Sequence, residues 1–245
     1  MTGGDPGHEA TAAVRACWEP HALALLAFER GEHDASILVV DDLGDTDALP
    51  ARWFFRGEEE FPSLERRALD LCVGSVLDLG AGAGCHALVL QERGHPVCAV
   101  EILPELVDLL HRRNVADART GSVFAPPAGQ WDTVLMLMNG WGLTETLSGL
   151  ARFFEVADRL VAPGGRIIAD STDMRGFATG WRSEGGIRLA LRDDGRYVGE
   201  IQFQLEFGGR RGDPFGHLYV DPDTLSVIAE RAGWRVQIVD RGENG

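Results

Sequence analysis

The stretch Val76–Ile102, VLDLGAGAGCHALVLQERGHPVCAVEI, constrains the fold more than any other part of the chain. An apolar run ends in Asp78, and Gly80, Gly82 and Gly84 then alternate with alanines. A helical stretch follows, and a second apolar run closes on Glu101. Strand, glycine turn, helix, strand and terminal acid, in that order, make a nucleotide-binding βαβ unit. Without side chains the turn lets the backbone approach a ligand closely. An acid about 20 residues past the glycines can accept hydrogen bonds from ribose hydroxyls. Alone, three glycines would equally suit a plain tight turn; the flanking strand, helix and acid favour the ligand.

From Val73 onward strands alternate with helices. Strands are expected at Ser75–Leu79, Pro96–Glu101, Ala118–Thr120, Trp131–Leu137 and Arg166–Asp170. Helices are expected at Cys85–Arg93, Pro104–Arg113 and Leu147–Leu160. This rhythm predicts an α/β fold with a mostly parallel, twisted sheet covered by helices on both faces. The nearly unbroken apolar run Thr133–Met138 fits a strand buried on both sides. Before this core, residues 9–30 read as a helix interrupted at Pro20. Residues 31–60 are acidic and irregular, apart from the apolar run Ile37–Val40. Pro62 and Ser63 open a helix through Leu71, with Leu64, Ala68 and Leu71 on one face. After Asp170 comes a glycine-rich loop, residues 174–186. Ile187, Leu189 and Leu191, then Ile201, Phe203, Leu205 and Phe207, alternate with polar residues on either side of Asp194-Gly195, which predicts a β-hairpin. Asp221-Pro222 caps a helix that stops near Gly233, and a last strand is expected at Trp234–Val239.

The charge balance narrows the partners. A net charge of −15 disfavours nucleic acid, whose phosphates need a basic surface. No apolar stretch is long enough for a membrane span. The start, MTGGDPGHEA, lacks the plan of a signal peptide and reads as a flexible polar tail. Cys17, Cys72, Cys85 and Cys98 form no CxxC pair, which suits free thiols in a reducing cytoplasm. His8, His21, His33, His86, His95, His111 and His217 show no metal-ligand spacing, so no metal is expected. No phosphate loop, zinc-binding HExxH or nucleophile elbow is present.

The spacing D-x-G-x-G-x-G from Asp78 to Gly84 resembles the first motif of class I S-adenosylmethionine-dependent methyltransferases. Trp131-Asp132-Thr133-Val134 resembles that family's fourth-strand motif. Leu160-Val161-Ala162-Pro163-Gly164-Gly165 resembles its turn before the fifth strand. Gly121-Ser122-Val123 stands where the family often has Gly-Asp and an apolar residue. The resemblance covers about residues 73–170. It implies a Rossmann-like sheet of seven strands, the last antiparallel, and S-adenosylmethionine as cofactor. It also implies that Asp78 and the loop Gly80-Ala81-Gly82 hold the methionine part and that Glu101 holds the ribose. Ile102 would pack on adenine, Ser122 and Val123 would meet its edge, and Met138 and Asn139 would line the site near the sulfonium. Two departures stand out. Ser122 replaces the usual acid. The sequence also stops one strand early, so either the Ile201–Phe207 strand fills that place or the chain is shortened.

On this reading residues 1–72 form a helical, lid-like segment. Residues 73–245 form the S-adenosylmethionine-binding domain, with 174–220 as a hairpin insertion covering the substrate. Arg56, in Trp53-Phe54-Phe55-Arg56, is a candidate partner for the cofactor carboxylate. Asn139-Gly140-Trp141-Gly142-Leu143 and Asp170-Ser171-Thr172-Asp173 are candidate substrate segments, Trp141 offering a flat surface and Ser171 or Thr172 an N-cap. No general base is identifiable; His217, Tyr219, Asp173 and Glu145 are the candidates, and His86 reads as a packed or surface histidine. The expected activity is methyl transfer to an O or N atom of a small molecule. An NAD(P)-dependent oxidoreductase, and a non-methylating or non-catalytic protein with this fold, stay open as alternatives, as does a homodimer.

Overall fold

The computed structural model describes residues 6–242; of the expected tail, residues 1–10, the first five lie outside them and the rest is helical, since α1 begins at Pro6 (Pro6–Glu29). The centre is a five-stranded parallel sheet: β3 (Val76–Leu79), β4 (Val97–Glu101), β5 (Ala118–Thr120), β6 (Trp131–Met136) and β7 (Val161–Ala169). Their spatial order is β5-β4-β3-β6-β7. The connections run one way from β3 and then switch to β6 on its other side. Such a switch point opens a crevice at the carboxyl ends of the strands.

Both faces of this sheet are covered, as its apolar strands require. Leu77, Leu79, Val134 and Met136 pack with Phe153, Phe154 and Leu150 of α5 (Leu147–Leu160) and with α6 (Pro222–Arg231). Val76, Ala99 and Leu135 point the other way. They meet α2 (Ser63–Asp70), α3 (Cys85–Glu92) and Leu110 of α4 (Pro104–Arg112). The turn expected at Pro163-Gly164-Gly165 lies inside β7. There Trp131 pairs Val161 but Thr133 pairs Arg166, so the extra residues bulge out, with Gly164 at φ 82°.

A second, antiparallel sheet joins distant parts of the chain. β1 (Ser36–Asp41) pairs with β2 (Thr46–Pro50) on one edge and with β10 (Glu200–Phe207) on the other. β11 (Arg210–Arg211) and β12 (Phe215–Leu218) also pair with β10. Residues 31–60 are therefore less irregular than expected, since Thr46–Pro50 is a strand and two 3-10 turns follow it. The expected hairpin is also corrected. β9 (Ile187–Leu191) pairs with β8 (Gly180–Glu184), inside the supposed loop, while β10 pairs with β1. After Leu191 the chain turns back only as far as a bridge to Tyr197, which precedes the supposed second arm. Alternation showed which residues share a face, but not which distant strand lies alongside.

Pro20 does not interrupt α1. Its missing N–H frees the Ala16 carbonyl, and Asp213 N–H donates to that oxygen at 2.9 Å. The strand expected at Trp234–Val239 does not form. Trp234 instead packs 6.0 Å from Phe154 and donates from its indole to Asp158 at 2.9 Å, which anchors the chain on α5. Beyond it, Ile238 and Val239 stay about half exposed. The sheet thus has five strands among the described residues, and β10 does not supply a further one. A cleft of about 320 Å³ lies between β7 and this last segment. No helix among the described residues is long and apolar enough to cross a membrane.

Ile37 is fully buried on β1 against Ala24 and Leu205. Ile37→Ala should cost about 2–5 kcal/mol of unfolding free energy in urea, as for a core truncation. A loss under about 0.5 kcal/mol would show that the antiparallel sheet is not part of the cooperative core.

Candidate functional site: a glycine cradle between two buried carboxylates

The glycine loop leaves β3 with Gly80, Gly82 and Gly84 at φ 77°, 59° and 85°, a region L side chains avoid. Neighbours also close in. A Cβ on Gly80 would lie 2.8 Å from Leu143, and one on Gly82 would lie 3.0 Å from Phe54. The loop is pinned by two N–H groups, Gly80 and Ala81, both donating to the Val100 carbonyl at 3.0 and 3.1 Å.

A carboxylate stands on each side. Asp78, next to last in β3, is almost fully buried, and its Oδ2 has no hydrogen-bond partner. Burial pushes its pKa up to about 6, against the pull of His86. Glu101 ends β4 and accepts from Gly82 N–H at 2.6 Å and Ile102 N–H at 3.0 Å. Burial raises it to about 7, more than those two bonds lower it.

The loop after β6 forms the opposite wall. Met138 and Asn139 both sit at positive φ, 63° and 61°. Consecutive left-handed residues other than glycine are strained, and such strain gathers at functional sites. The strain is held by Asp170, which accepts from Gly140 N–H at 3.1 Å, and by Thr172, whose hydroxyl donates to Asn139 Oδ1 at 2.9 Å. Ser171 and Thr172 cap no helix, since Ser171 Oγ accepts from Val220 N–H at 2.8 Å. Trp141 does not offer a flat open surface either. It is buried against Phe153 and Phe154, with centroids 5.8 and 5.7 Å away.

The segment before the core closes over the loop. Phe54 lies on Gly82, and Arg113, just past the end of α4, donates to the carbonyls of both Phe54 and Ala83. Arg56 Nη2 reaches both Glu65 oxygens at 3.0 Å and lies 3.9 Å from Met138 Sδ. On the adenine side of the expected site, Ser122 Oγ accepts from Ala125 N–H at 3.1 Å, Val123 is buried and Ile102 is half-buried.

Of the candidate bases, the structure brings His217 and Tyr219 together, with ring centroids 4.7 Å apart. His217 packs on Gly142, where a Cβ would fall onto its ring, and Gly142 precedes the Leu143 that touches Gly80. His217 Nε2 is buried with no partner, and burial holds the pKa near 4. Asp173 does not join them. It is ion-paired with Arg175 at 2.6 Å, which keeps it below the usual carboxylate range. Glu145, at φ 66°, packs its Cβ against Gly216.

Glu65 escaped the sequence reading, and His86, read as a packed or surface histidine, is packed. Glu65 and His86 are both buried and lie 2.8 Å apart. The available signal was position: Glu65 shares the buried stripe of α2 with Ala68 and Leu69, not with the expected Leu64 and Leu71.

A family model described as a methyltransferase domain matches residues 49–238. An S-adenosylmethionine-dependent methyltransferase from Bacteroides fragilis, solved with S-adenosyl-L-homocysteine, is 35% identical, with a TM-score of 0.80. That match covers 92% of this chain and 90% of the other. The chain belongs to the S-adenosylmethionine-dependent methyltransferases. Two more distant structures share the fold. The CcbJ methyltransferase from Streptomyces caelestis is 20% identical (TM-score 0.53; 71% and 82% covered). The sugar N-methyltransferase KedS8 from Streptoalloteichus sp ATCC 53650 is 18% identical (TM-score 0.50; 78% and 86% covered). A search of curated proteins gave no match. The oxidoreductase and non-catalytic alternatives give way to this family, whose cofactor is S-adenosylmethionine.

The site suits that cofactor. A buried carboxylate oxygen without a partner, Asp78 Oδ2, is costly unless a donor meets it, and the loop beside it holds only glycines and alanines. The His217 ring sits close against Gly142. Gly142→Ala should displace that ring and cost about 1–3 kcal/mol of stability, the usual range for overpacking, in a urea titration. Unchanged stability would show that the two surfaces are not in contact.

Proposed function

We propose that this methyltransferase transfers a methyl group to an O or N atom of a small molecule, bound between the loop after β6 and the antiparallel sheet. The observation that carries the reading is His217, whose buried, partnerless Nε2 lies next to Tyr219 and on the loop that touches the glycine cradle. The net charge of −15 and the covering of the cradle by Phe54 and Leu143 support a small substrate over a nucleic acid. The free cysteines, three of them buried, agree with a cytoplasmic setting.

Under this reading Asp78 meets the ammonium of the cofactor's amino-acid end, Gly80-Ala81-Gly82 hold its backbone-facing side, and Arg56 meets its carboxylate. Glu101 accepts from the ribose hydroxyls. Ile102 packs on adenine, with Ser122 and Val123 at its edge, and Met138 and Asn139 face the sulfonium. When bound, S-adenosylmethionine supplies an electrophilic methyl group to an in-line nucleophile. The protein's own part is to orient that nucleophile, exclude water and take up its proton. Burial keeps the His217 ring neutral, so with its proton on Nδ1 the Nε2 lone pair accepts from an incoming hydroxyl or amine.

The test is a panel of small alcohols, phenols and amines incubated with S-adenosylmethionine, with methylated products read by mass spectrometry. On the substrate so found, His217→Ala should lower kcat by about 100-fold or more, the usual range for a general base. S-adenosylhomocysteine affinity should stay within about twofold. Full activity in the variant would remove His217 from the reaction.

A further inference from the structure

Arg56, Glu65, His86 and Asp78 form a row of alternating charge behind the glycine loop. Arg56 comes from the covering segment, Glu65 from α2, His86 from the first turn of α3 and Asp78 from the end of β3. Glu65 is the hinge of the row: its two oxygens accept from Arg56 Nη2 at 3.0 Å, and Oε2 also meets His86 Nε2 at 2.8 Å. The side chains of Arg56, Glu65 and His86 are 12%, 9% and 7% exposed, so water screens these contacts little. Phe61 shields the row, 5.0 Å from the His86 ring and 5.4 Å from the Arg56 guanidinium. Burial works against charge on His86, but hydrogen bonds with Cys85 and Glu65 outweigh it and raise the ring to about 10. His86 and Arg56 in turn hold Glu65 below the usual carboxylate range against its own burial.

The two ends of the row are the informative parts. At one end Asp78 Oδ2 is buried with no partner. At the other, Arg56 is fastened through Nε to the Trp53 carbonyl at 2.8 Å and through Nη2 to Glu65, beside Met138 of the loop after β6. An amino-acid zwitterion fits those ends, its ammonium toward Asp78 and its carboxylate toward Arg56. Glu65 touches neither end of such a ligand. It sets where both ends stand.

We propose that Glu65 is a positioning residue for the amino-acid end of the cofactor, coupling Arg56 of the covering segment to His86 of the loop-bearing helix. This rests on the cofactor orientation given under Proposed function. Glu65 therefore governs discrimination between adenosyl ligands with and without an amino-acid tail, and contributes nothing to adenine or ribose. A purely structural Glu65 would have no such selectivity.

The experiment compares two probes by calorimetry, S-adenosylhomocysteine and 5′-methylthioadenosine, which keeps the adenosine and thioether but lacks the amino-acid tail. Wild-type protein should bind S-adenosylhomocysteine much more tightly. Glu65→Gln should weaken S-adenosylhomocysteine by about 10–100-fold, in line with loss of charge-assisted hydrogen bonds, and leave 5′-methylthioadenosine within about twofold. Glu65→Asp keeps the charge but is one methylene too short to span both partners. It should show the same selective loss, about 5–10-fold, and it carries the test alone if Glu65→Gln does not fold. Equal weakening of both probes, or an unchanged preference, would overturn the role of Glu65. If the wild type itself fails to prefer S-adenosylhomocysteine, the cofactor orientation falls, and this proposal with it.

Discussion

Asp78, next to last in β3, and Glu101, last in the neighbouring parallel strand β4, both have carboxyl groups held out of water, on either side of a loop of glycines and alanines. Burying a carboxylate is unfavourable unless donors surround it. Glu101 meets part of that need through two backbone N–H groups, and Asp78 Oδ2 meets none within the protein. In the protein without ligand, both groups are pushed toward neutral pH, to about 6 and 7. A carboxyl pKa raised by folding stabilises the folded state below the ordinary carboxylate range, and this stability is lost as pH rises through about 6 and 7. A ligand that brings an ammonium to one and hydroxyl donors to the other reverses the sign: it favours the ionised forms and is itself favoured as they ionise.

The remainder of the fold brings three walls to this strained centre. The strand order places the loop after β6 beside the glycine loop, and Leu143 makes the contact. Phe54 and Arg113 bring the segment before the core down on the same glycines. The antiparallel sheet, with β1 paired to β10 across most of the sequence, carries β12 and sets His217 on Gly142. The methyltransferase thus builds its glycine cradle from one continuous unit and the walls around it from chain segments far apart in sequence.

That division explains what was legible from residues alone. The βαβ unit, α5 and the parallel strands other than β7, which starts five residues before its expected Arg166, lie close to their expected bounds because each depends on local periodicity. The partner of β10 was not legible, since Ile201–Phe207 alternates equally well beside any strand. Trp234–Val239 reads as a strand but has no ladder, because Trp234 is fastened to α5. Trp141 reads as an exposed platform beside glycines, yet its ring fills the core against Phe153. Glu65 was hidden because a lone acid on an amphipathic helix looks solvated, and only the fold shows Arg56 and His86 meeting it. His217 and Tyr219 were found as a pair by their place after the β10 strand, and Asp173 was drawn away by Arg175.

The most direct measurement follows the carboxyl carbons of Asp78 and Glu101 by NMR through a pH titration, with and without S-adenosylhomocysteine. Without ligand both should titrate well above the ordinary range, near 6 and 7. With ligand both should fall by at least about one unit, and S-adenosylhomocysteine affinity should rise from pH 5 to 8 by about tenfold per shifted unit. Titration curves unmoved by the ligand, or an affinity that falls as pH rises, would contradict the placement of the cofactor between these two carboxylates.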